Sequence, residues 1–313
     1  MPKLFHKPVL LKEVIDFLAV KNGEKYIDAT VGGGGHSEAI LKSGGILLGI
    51  DCDPEAIAAA RRRLSSACPL RRHVGAGASW RLIRGNFGDL KEIALKNNFF
   101  PVAGVLFDLG VSSHQLETDY RGFSFNLKGP LDMRMSPDLK VTAADLINCL
   151  SENELAEIFF KFGEEKHSRR IAHAVCCARQ IAPIKTTNEL VEIILQARPR
   201  KGKFDRTPVL PAGRHPATRC FQALRIAVND ELNNLKKALP QALEILKPGG
   251  RLVVLSFHSL EDRIVKNFLK EKEKEGEIKI LTKKPIMPTE EEIKENPRSR
   301  SVKLRAGEKN ERK

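Results

Sequence analysis

Tyr26-Ile-Asp-Ala-Thr-Val-Gly-Gly-Gly-Gly-His36, followed by Gly49-Ile-Asp-Cys-Asp53, is the stretch whose reading decides the fold. Each half opens on a short apolar run and ends on residues suited to contact a ligand. Tyr26–Thr30 reads as a strand, the glycines as a tight turn, and Ser37–Lys42 as the start of a helix. Ile46–Ile50 then reads as a second strand that ends on Asp51. This is the opening of a doubly wound α/β fold, in which ligands bind at the carboxyl ends of parallel strands.

The same stretch narrows the ligand. A dinucleotide fingerprint, Gly-x-Gly-x-x-Gly, is met at Gly32 and Gly34 but broken at Ser37. The alternative is an acid ending the first strand (Asp28), a glycine loop, and an acid ending the second (Asp51). That arrangement suits S-adenosylmethionine, which has no pyrophosphate to cradle. Glycine lets the backbone approach the methionine moiety, and a carboxylate accepts hydrogen bonds from ribose hydroxyls. Val102-Ala-Gly-Val-Leu-Phe-Asp108 is a further buried strand ending on an acid, and Arg81–Phe87 reads as the strand between. Three acids in register at strand ends point to a ligand crevice; a strand-terminal Asp alone could equally cap a turn.

The rest of the chain is organised around that core. Residues 9–19 read as an amphipathic helix, and Asp53-Pro54 as the cap and first turn of another. Residues 114–215 contain no convincing core strand. They read as a loop rich in Gly, Phe and Met, then helices at Ala143–Leu150, Glu152–Phe162, Ser168–Arg179 and Thr187–Ala197, with start signals at Ser151-Glu-Asn-Glu and Thr187-Asn-Glu. The α/β pattern resumes with a long helix over Thr218–Leu239, a turn at Leu246–Gly250 and a buried strand at Arg251–Ser256. A helical domain inserted after the fourth strand, dividing the chain into 1–113 with 216–313 and 114–215, explains this order. Lys270–Glu277 and Glu290–Glu295 read as solvated helical surface.

The chain has 313 residues, 42% of them hydrophobic, and a net charge of +14. The length supports real cores, no apolar run reaches a membrane span, and no signal-peptide core opens the sequence. The six cysteines form no Cys-x-x-Cys pair, so a zinc site or disulfide framework is not expected, and a reducing cytoplasm fits. Positive charge clusters in three places: Arg61, Arg62, Arg63, Arg71, Arg72, Arg81 and Arg84; Arg198, Arg200, Lys201, Lys203, Arg206 and Arg214; and Arg298, Arg300, Lys303 and Arg305. Three such clusters favour a nucleic-acid partner over a membrane. Arg121, Phe123, Phe125, Met133 and Arg134 could stack on and hold an unstacked base, or seal an apolar core. In Ser256-Phe-His-Ser-Leu-Glu-Asp-Arg263, Ser259, His258 and Asp262 superficially suggest a hydrolase triad. All three come from one short segment without a Gly-x-Ser-x-Gly elbow, so Ser259 is read as a helix cap and His258 as a residue facing the crevice.

His6-Lys-Pro-Val-Leu-Leu, Asp108-Leu-Gly-Val-Ser-Ser, Arg121-Gly-Phe-Ser-Phe, Gly129-Pro-Leu-Asp-Met-Arg-Met135, Gly163-Glu-Glu, His215-Pro-Ala-Thr-Arg219, Phe221-Gln-Ala-Leu-Arg-Ile, the Ser256–Arg263 block and Asn296-Pro-Arg-Ser-Arg-Ser together resemble the bacterial RsmH (MraW) methyltransferases over nearly the whole chain. The resemblance implies a class I S-adenosylmethionine-dependent methyltransferase fold, Rossmann-like, with an inserted helical domain. It implies methylation of N4 of a cytidine in the decoding centre (P site) of 16S ribosomal RNA, with the small ribosomal subunit as partner and no metal. Methyl-donor contacts carry over onto Gly34, Gly35, His36, Asp51, Phe87, Asp108 and Gln115, and Asp108 is the best candidate for a catalytic role. Departures from the family pattern are Gly33, Cys220, and longer stretches at Cys68–Trp80 and Thr207–Gly213. Rival classes are a non-catalytic ribosome-assembly factor, a nicotinamide-dependent oxidoreductase and a DNA amino-methyltransferase. No membrane or obligate protein partner is expected.

Overall fold

A computed structural model describes residues 8–67, 79–197 and 215–311. Much of the first basic cluster's loop (Arg71 and Arg72), the whole cluster from Arg198 to Arg214, and the lengthened stretches except Ser79 and Trp80 lie outside these residues.

In chain order the strands are β1 (Lys25–Asp28), β2 (Ile46–Asp51), β3 (Trp80–Arg84), β4 (Val102–Asp108), β5 (Leu246–Ser256), β6 (Ile278–Ile280) and β7 (Lys303–Lys309). The helices are α1 (Leu11–Leu18), α2 (Gly35–Lys42), α3 (Pro54–Ala67), α4 (Leu90–Lys96), α5 (Ser113–Glu117), α6 (Ala143–Cys149), α7 (Glu152–Lys161), α8 (Ser168–Ile181), α9 (Thr187–Ala197), α10 (Thr218–Asn229), α11 (Glu231–Ile245), α12 (Ser259–Lys274) and α13 (Glu290–Glu295). Two compact units divide them: residues 1–112 with 232–313, and residues 113–231. The expected boundary had placed everything from 216 onward in the first unit. Here α10 counts with the helical unit instead. The long helix expected over Thr218–Leu239 is two helices, because Asp230 takes a left-handed conformation (φ 49°) between them.

The first unit is built on one sheet in the order β3-β2-β1-β4-β5-β7-β6. β1 to β5 run parallel; β7 is antiparallel to β5, and β6 to β7. The parallel strands read as nearly unbroken apolar runs because both faces are covered. Ile27, Leu48, Ile50, Val105, Phe107, Leu252 and Val254 pack with residues of α4, α11 and α12. Tyr26, Leu47, Leu82, Leu106, Val253 and Leu255 pack on the other side with residues of α1, α2 and α3. Each such side chain contributes about 1.5–3 kcal/mol of burial, so the strand ends bearing the acids are held by strands buried on both faces.

Two antiparallel strands were not foreseen. β7 completes its ladder with β5 from Arg251↔Glu308 to Ser256↔Lys303. Residues 246–250, expected as a turn, join β5 as an irregularity: Leu246 pairs with Val102, and Arg251 resumes at Gly104. The cap of α12 is His258 rather than Ser259; its ring accepts the Glu261 amide at 3.4 Å, and Glu261 accepts the Phe257 and His258 amides. A histidine accepting through Nδ1 replaces the usual hydroxyl, so the cap is not evident from residue type.

The second unit is helical, as expected of its sequence. Ser151 and Glu154 form the anticipated capping box. At α9 the box is shifted by one residue: Thr186 and Glu189 exchange the capping bonds, while the Thr187 hydroxyl donates to the Leu127 carbonyl at 2.6 Å. The residues weighed as a base-stacking set serve the interior of this unit. Met133 is fully buried, and Phe123 nearly so. Arg134 is clamped on Asp132 by two bonds of 2.8 Å, and Arg121 donates to the carbonyls of Arg134 and Met135. Phe125 stacks on His215 with ring centroids 4.7 Å apart.

Candidate methyl-donor site

The glycine turn follows β1 and opens α2. Gly34, the residue before the helix, is left-handed at φ 78°. A Cβ there would also stand 3.2 Å from the Ala60 Cα. Only glycine satisfies both conditions. Gly35 begins α2, and its Cα faces the Pro8 ring, which a Cβ would meet at 3.1 Å. Arg63 of α3 donates to the Gly33 carbonyl at 3.0 Å and pairs with Glu38 at 3.2 Å. This arginine from the first basic cluster therefore braces the turn.

The three acids have distinct roles. Asp28 is almost wholly buried. Its Oδ2 accepts the Ser37 hydroxyl at 2.6 Å, and its Oδ1 the Thr30 amide at 3.2 Å. It ties the end of β1 to the first turn of α2, and burial raises its pKa above the ordinary carboxylate value. Asp51 accepts the Gly32 amide at 2.9 Å through one oxygen and the Asp53 amide at 2.9 Å through the other. Burial pushes its pKa up to about 6, against the pull of those two amides. At neutral pH it is mainly a carboxylate, and each oxygen keeps a lone pair beyond its backbone bond.

Asp108 ends β4 with its side chain 15% exposed. Its amide donates to Thr30 Oγ1 at 2.6 Å, and its Oδ2 lies 3.3 Å from His36 Nδ1. Its Oδ1 is buried with no hydrogen-bond partner. Thr30 and Ser37, neither marked as a site residue in the sequence, fix two of the three acids; their place within and just after the strand–turn stretch was the available signal. His36 is buried between Val9, whose carbonyl lies 2.9 Å from Nε2, and Asp108. Phe87 starts a short 3-10 turn after β3 and packs edge-on against Phe107, ring centroids 5.8 Å apart, beside Asp108 in sequence.

Gly34, Gly35, His36, Asp51 and Asp108 thus meet around one turn: Asp51 through the Gly32 amide, Asp108 through His36. Phe87 is linked to the end of β4 by its ring contact. Gln115 belongs to the second unit, buried in α5.

The basic clusters are altered by tertiary pairing. Arg305 Nε lies 2.6 Å from Asp262 Oδ1, and Lys303 Nζ 3.1 Å from Asp262 Oδ2. Arg305 thus belongs to the packing of β7 on α12, while Lys303, 35% exposed, shares the same carboxylate from the surface. Burial alone would raise the Asp262 pKa, but the two cations outweigh it and hold it below the ordinary value. The five described cysteines are free thiols. Among the described residues no helix is long and apolar enough to cross a membrane.

Residues 3–310 match the model of the MraW methylase family. The chain is similar to the ribosomal RNA small subunit methyltransferase H of Carboxydothermus hydrogenoformans, 44% identical over 97% of each chain. The same-named proteins of Coprothermobacter proteolyticus (46% identical, over 96% of this chain and 94% of that one) and Trichlorobacter lovleyi (45%, over 99% of each) are equally near.

Proposed function

The chain belongs to the MraW methylase family, and from that premise we propose that it methylates N4 of a cytidine in the decoding centre of 16S ribosomal RNA. The methyl donor is S-adenosylmethionine, the partner is the small ribosomal subunit, and the reaction takes place in the cytoplasm. Near-full-length similarity to relatives named as small-subunit rRNA methyltransferases supports the substrate class.

One observation carries the choice of donor: the glycine turn is flanked by three carboxylates, and one of their oxygens, Asp108 Oδ1, is buried without a partner. Carboxylates at a helix N-terminus oppose a pyrophosphate and suit a ligand with cationic sulfonium and ammonium groups. Ser37 adds to this, because the third fingerprint position is occupied by a side chain committed to Asp28. The nicotinamide reading loses its phosphate site on both counts. A non-catalytic assembly factor would have no use for the unpartnered oxygen.

S-Adenosylmethionine supplies an electrophilic methyl group. In the proposed site Gly34 and Gly35 would admit its amino-acid portion, Asp51 would accept from ribose hydroxyls, and Phe87 would stand beside the donor. The exocyclic N4 of cytosine is a poor nucleophile because its lone pair is delocalised into the ring. Asp108, through Oδ1, accepts from the amino hydrogens, which localises that pair. As one N–H is exchanged for N–CH3, the released proton passes to Asp108. Alignment of the reacting groups supplies much of the acceleration, roughly 7–11 kcal/mol. No step calls for a metal.

The test is titration calorimetry with S-adenosylhomocysteine, paired with transfer of labelled methyl groups to small subunits. The proposal expects donor binding that weakens in Asp51→Ala, and turnover that collapses in Asp108→Ala. Near-full turnover in Asp108→Ala would remove that residue from the chemistry.

A further inference from the structure

We propose that His36 is a positioning residue: its imidazolium pins one oxygen of Asp108 so that the other faces the reacting amino group. The inference rests on the methyltransferase reading for its consequence in catalysis, but the pairing itself does not.

The ring is caught between two acceptors. A backbone carbonyl only accepts, so the 2.9 Å contact with Val9 places a proton on Nε2. An ionised carboxylate also only accepts, so the 3.3 Å approach of Nδ1 to Asp108 Oδ2 is a bond only when Nδ1 is protonated as well. Both nitrogens donate together only in the charged ring. The groups facing the ring are Asp108 on β4, Asp28 on β1 and the Val9 carbonyl before α1. Burial opposes the charge, yet the two carboxylates outweigh it, and the net displacement of the His36 pKa is upward.

The consequence lies at Asp108. The terminal torsion of an aspartate is broad, so an unheld carboxylate samples many orientations. Here the Asp108 amide is fixed on Thr30, Oδ2 is met by His36, and Oδ1 is the one oxygen left without a partner. The His36 side chain is turned away from solvent and committed to Val9 and Asp108, so the ring acts through Asp108 and leaves the His36 backbone for the donor. Because His36 is the second residue of α2, it links that carboxylate to the turn that receives the methyl donor.

Two measurements on the full chain test this. The first needs no RNA: nitrogen-15 NMR of the histidine rings against pH, with the His36 signal identified by its loss in His36→Asn. Expected is a doubly protonated ring at neutral pH whose titration moves to lower pH in Asp108→Asn. A His36 ring that is neutral at pH 7 and indifferent to Asp108→Asn overturns the pairing. The second is methyl transfer to small subunits. His36→Leu lowers kcat by about 10²-fold, the scale set by misplacing a reacting group, with S-adenosylhomocysteine still bound. His36→Asn, which keeps a donor near the position of Nδ1, restores most of the rate. In the wild type kcat/KM falls on the alkaline side as the ring loses its proton, and that limb is absent in His36→Asn. Equal loss in the Leu and Asn variants, or an unchanged alkaline limb, overturns the positioning role. If the wild-type protein transfers no methyl group at all, the functional reading fails, while the NMR titration still decides the pair.

Discussion

Replacing Ser37 with alanine removes one oxygen and leaves the buried Asp28 carboxyl with a single, longer hydrogen bond. Ser37 is completely buried and its hydroxyl is the 2.6 Å donor to Asp28 Oδ2. The remaining bond to that carboxylate, from the Thr30 amide, is the longer one at 3.2 Å and goes to the other oxygen. A buried group that loses its partner costs about 1–3 kcal/mol, more when charged, so about 2.5 kcal/mol is expected at neutral pH. The pH dependence has a definite sign. Burial raises the folded Asp28 pKa above its ordinary 3.8, so the folded state binds more protons than the unfolded one between those values. In that window stability falls as pH rises. Ser37 opposes the upward displacement; Ser37→Ala enlarges it, and the penalty grows from acid to neutral pH. Trp80, the only tryptophan, is 6% exposed on β3 and reports the unfolding of this unit. Urea denaturation followed by its fluorescence should show a midpoint roughly 1 M lower for Ser37→Ala at pH 7.5, for a slope of about 2.5 kcal/mol/M. At pH 5 the shift should be smaller. A variant as stable as wild type at pH 7.5, or one penalised more at pH 5, would refute the clamp.

Affinity for S-adenosylhomocysteine should fall as pH drops through the Asp51 value of about 6, by about tenfold per unit below it if only the carboxylate binds. Calorimetry at several pH values checks this, and Asp51→Asn should flatten the dependence. Gly34→Ala should lower stability by about 2 kcal/mol, from the left-handed backbone and the approach to Ala60, and weaken the same ligand; thermal melts read the first effect. Asp262→Ala leaves the buried Arg305 without its carboxylate and should cost about 3–5 kcal/mol by urea denaturation. Because the Asp262 pKa is lowered, the stabilisation it gives is present above the ordinary carboxylate value and is lost as pH falls through the folded one.

The parallel half of the sheet was legible because burial on both faces leaves its mark within each strand: β4 is an unbroken apolar run closed by Asp108. The glycine turn was legible because its conformations need glycine. What escaped the sequence depends on partners far along the chain. β7 (Lys-Leu-Arg-Ala-Gly-Glu-Lys) looks like solvated charge until Asp262, 43 residues before Arg305, neutralises it. Asp28 and Asp51 look alike at strand ends, yet one is sealed by Ser37 and the other only by backbone amides. His36 and Asp108 were each marked as donor contacts, but their meeting across 72 residues of chain has no local signature. The break at Asp230 carries no glycine or proline to announce it.

The central claim is tested most directly by analysing the RNA itself. The purified protein would be incubated with methyl-labelled S-adenosylmethionine and small ribosomal subunits lacking their native modification, and the RNA digested to nucleosides for mass spectrometry. The account predicts label in N4-methylcytidine, abolished in Asp108→Ala. Label in any other nucleoside, or donor binding with no label in ribosomal RNA, would contradict it.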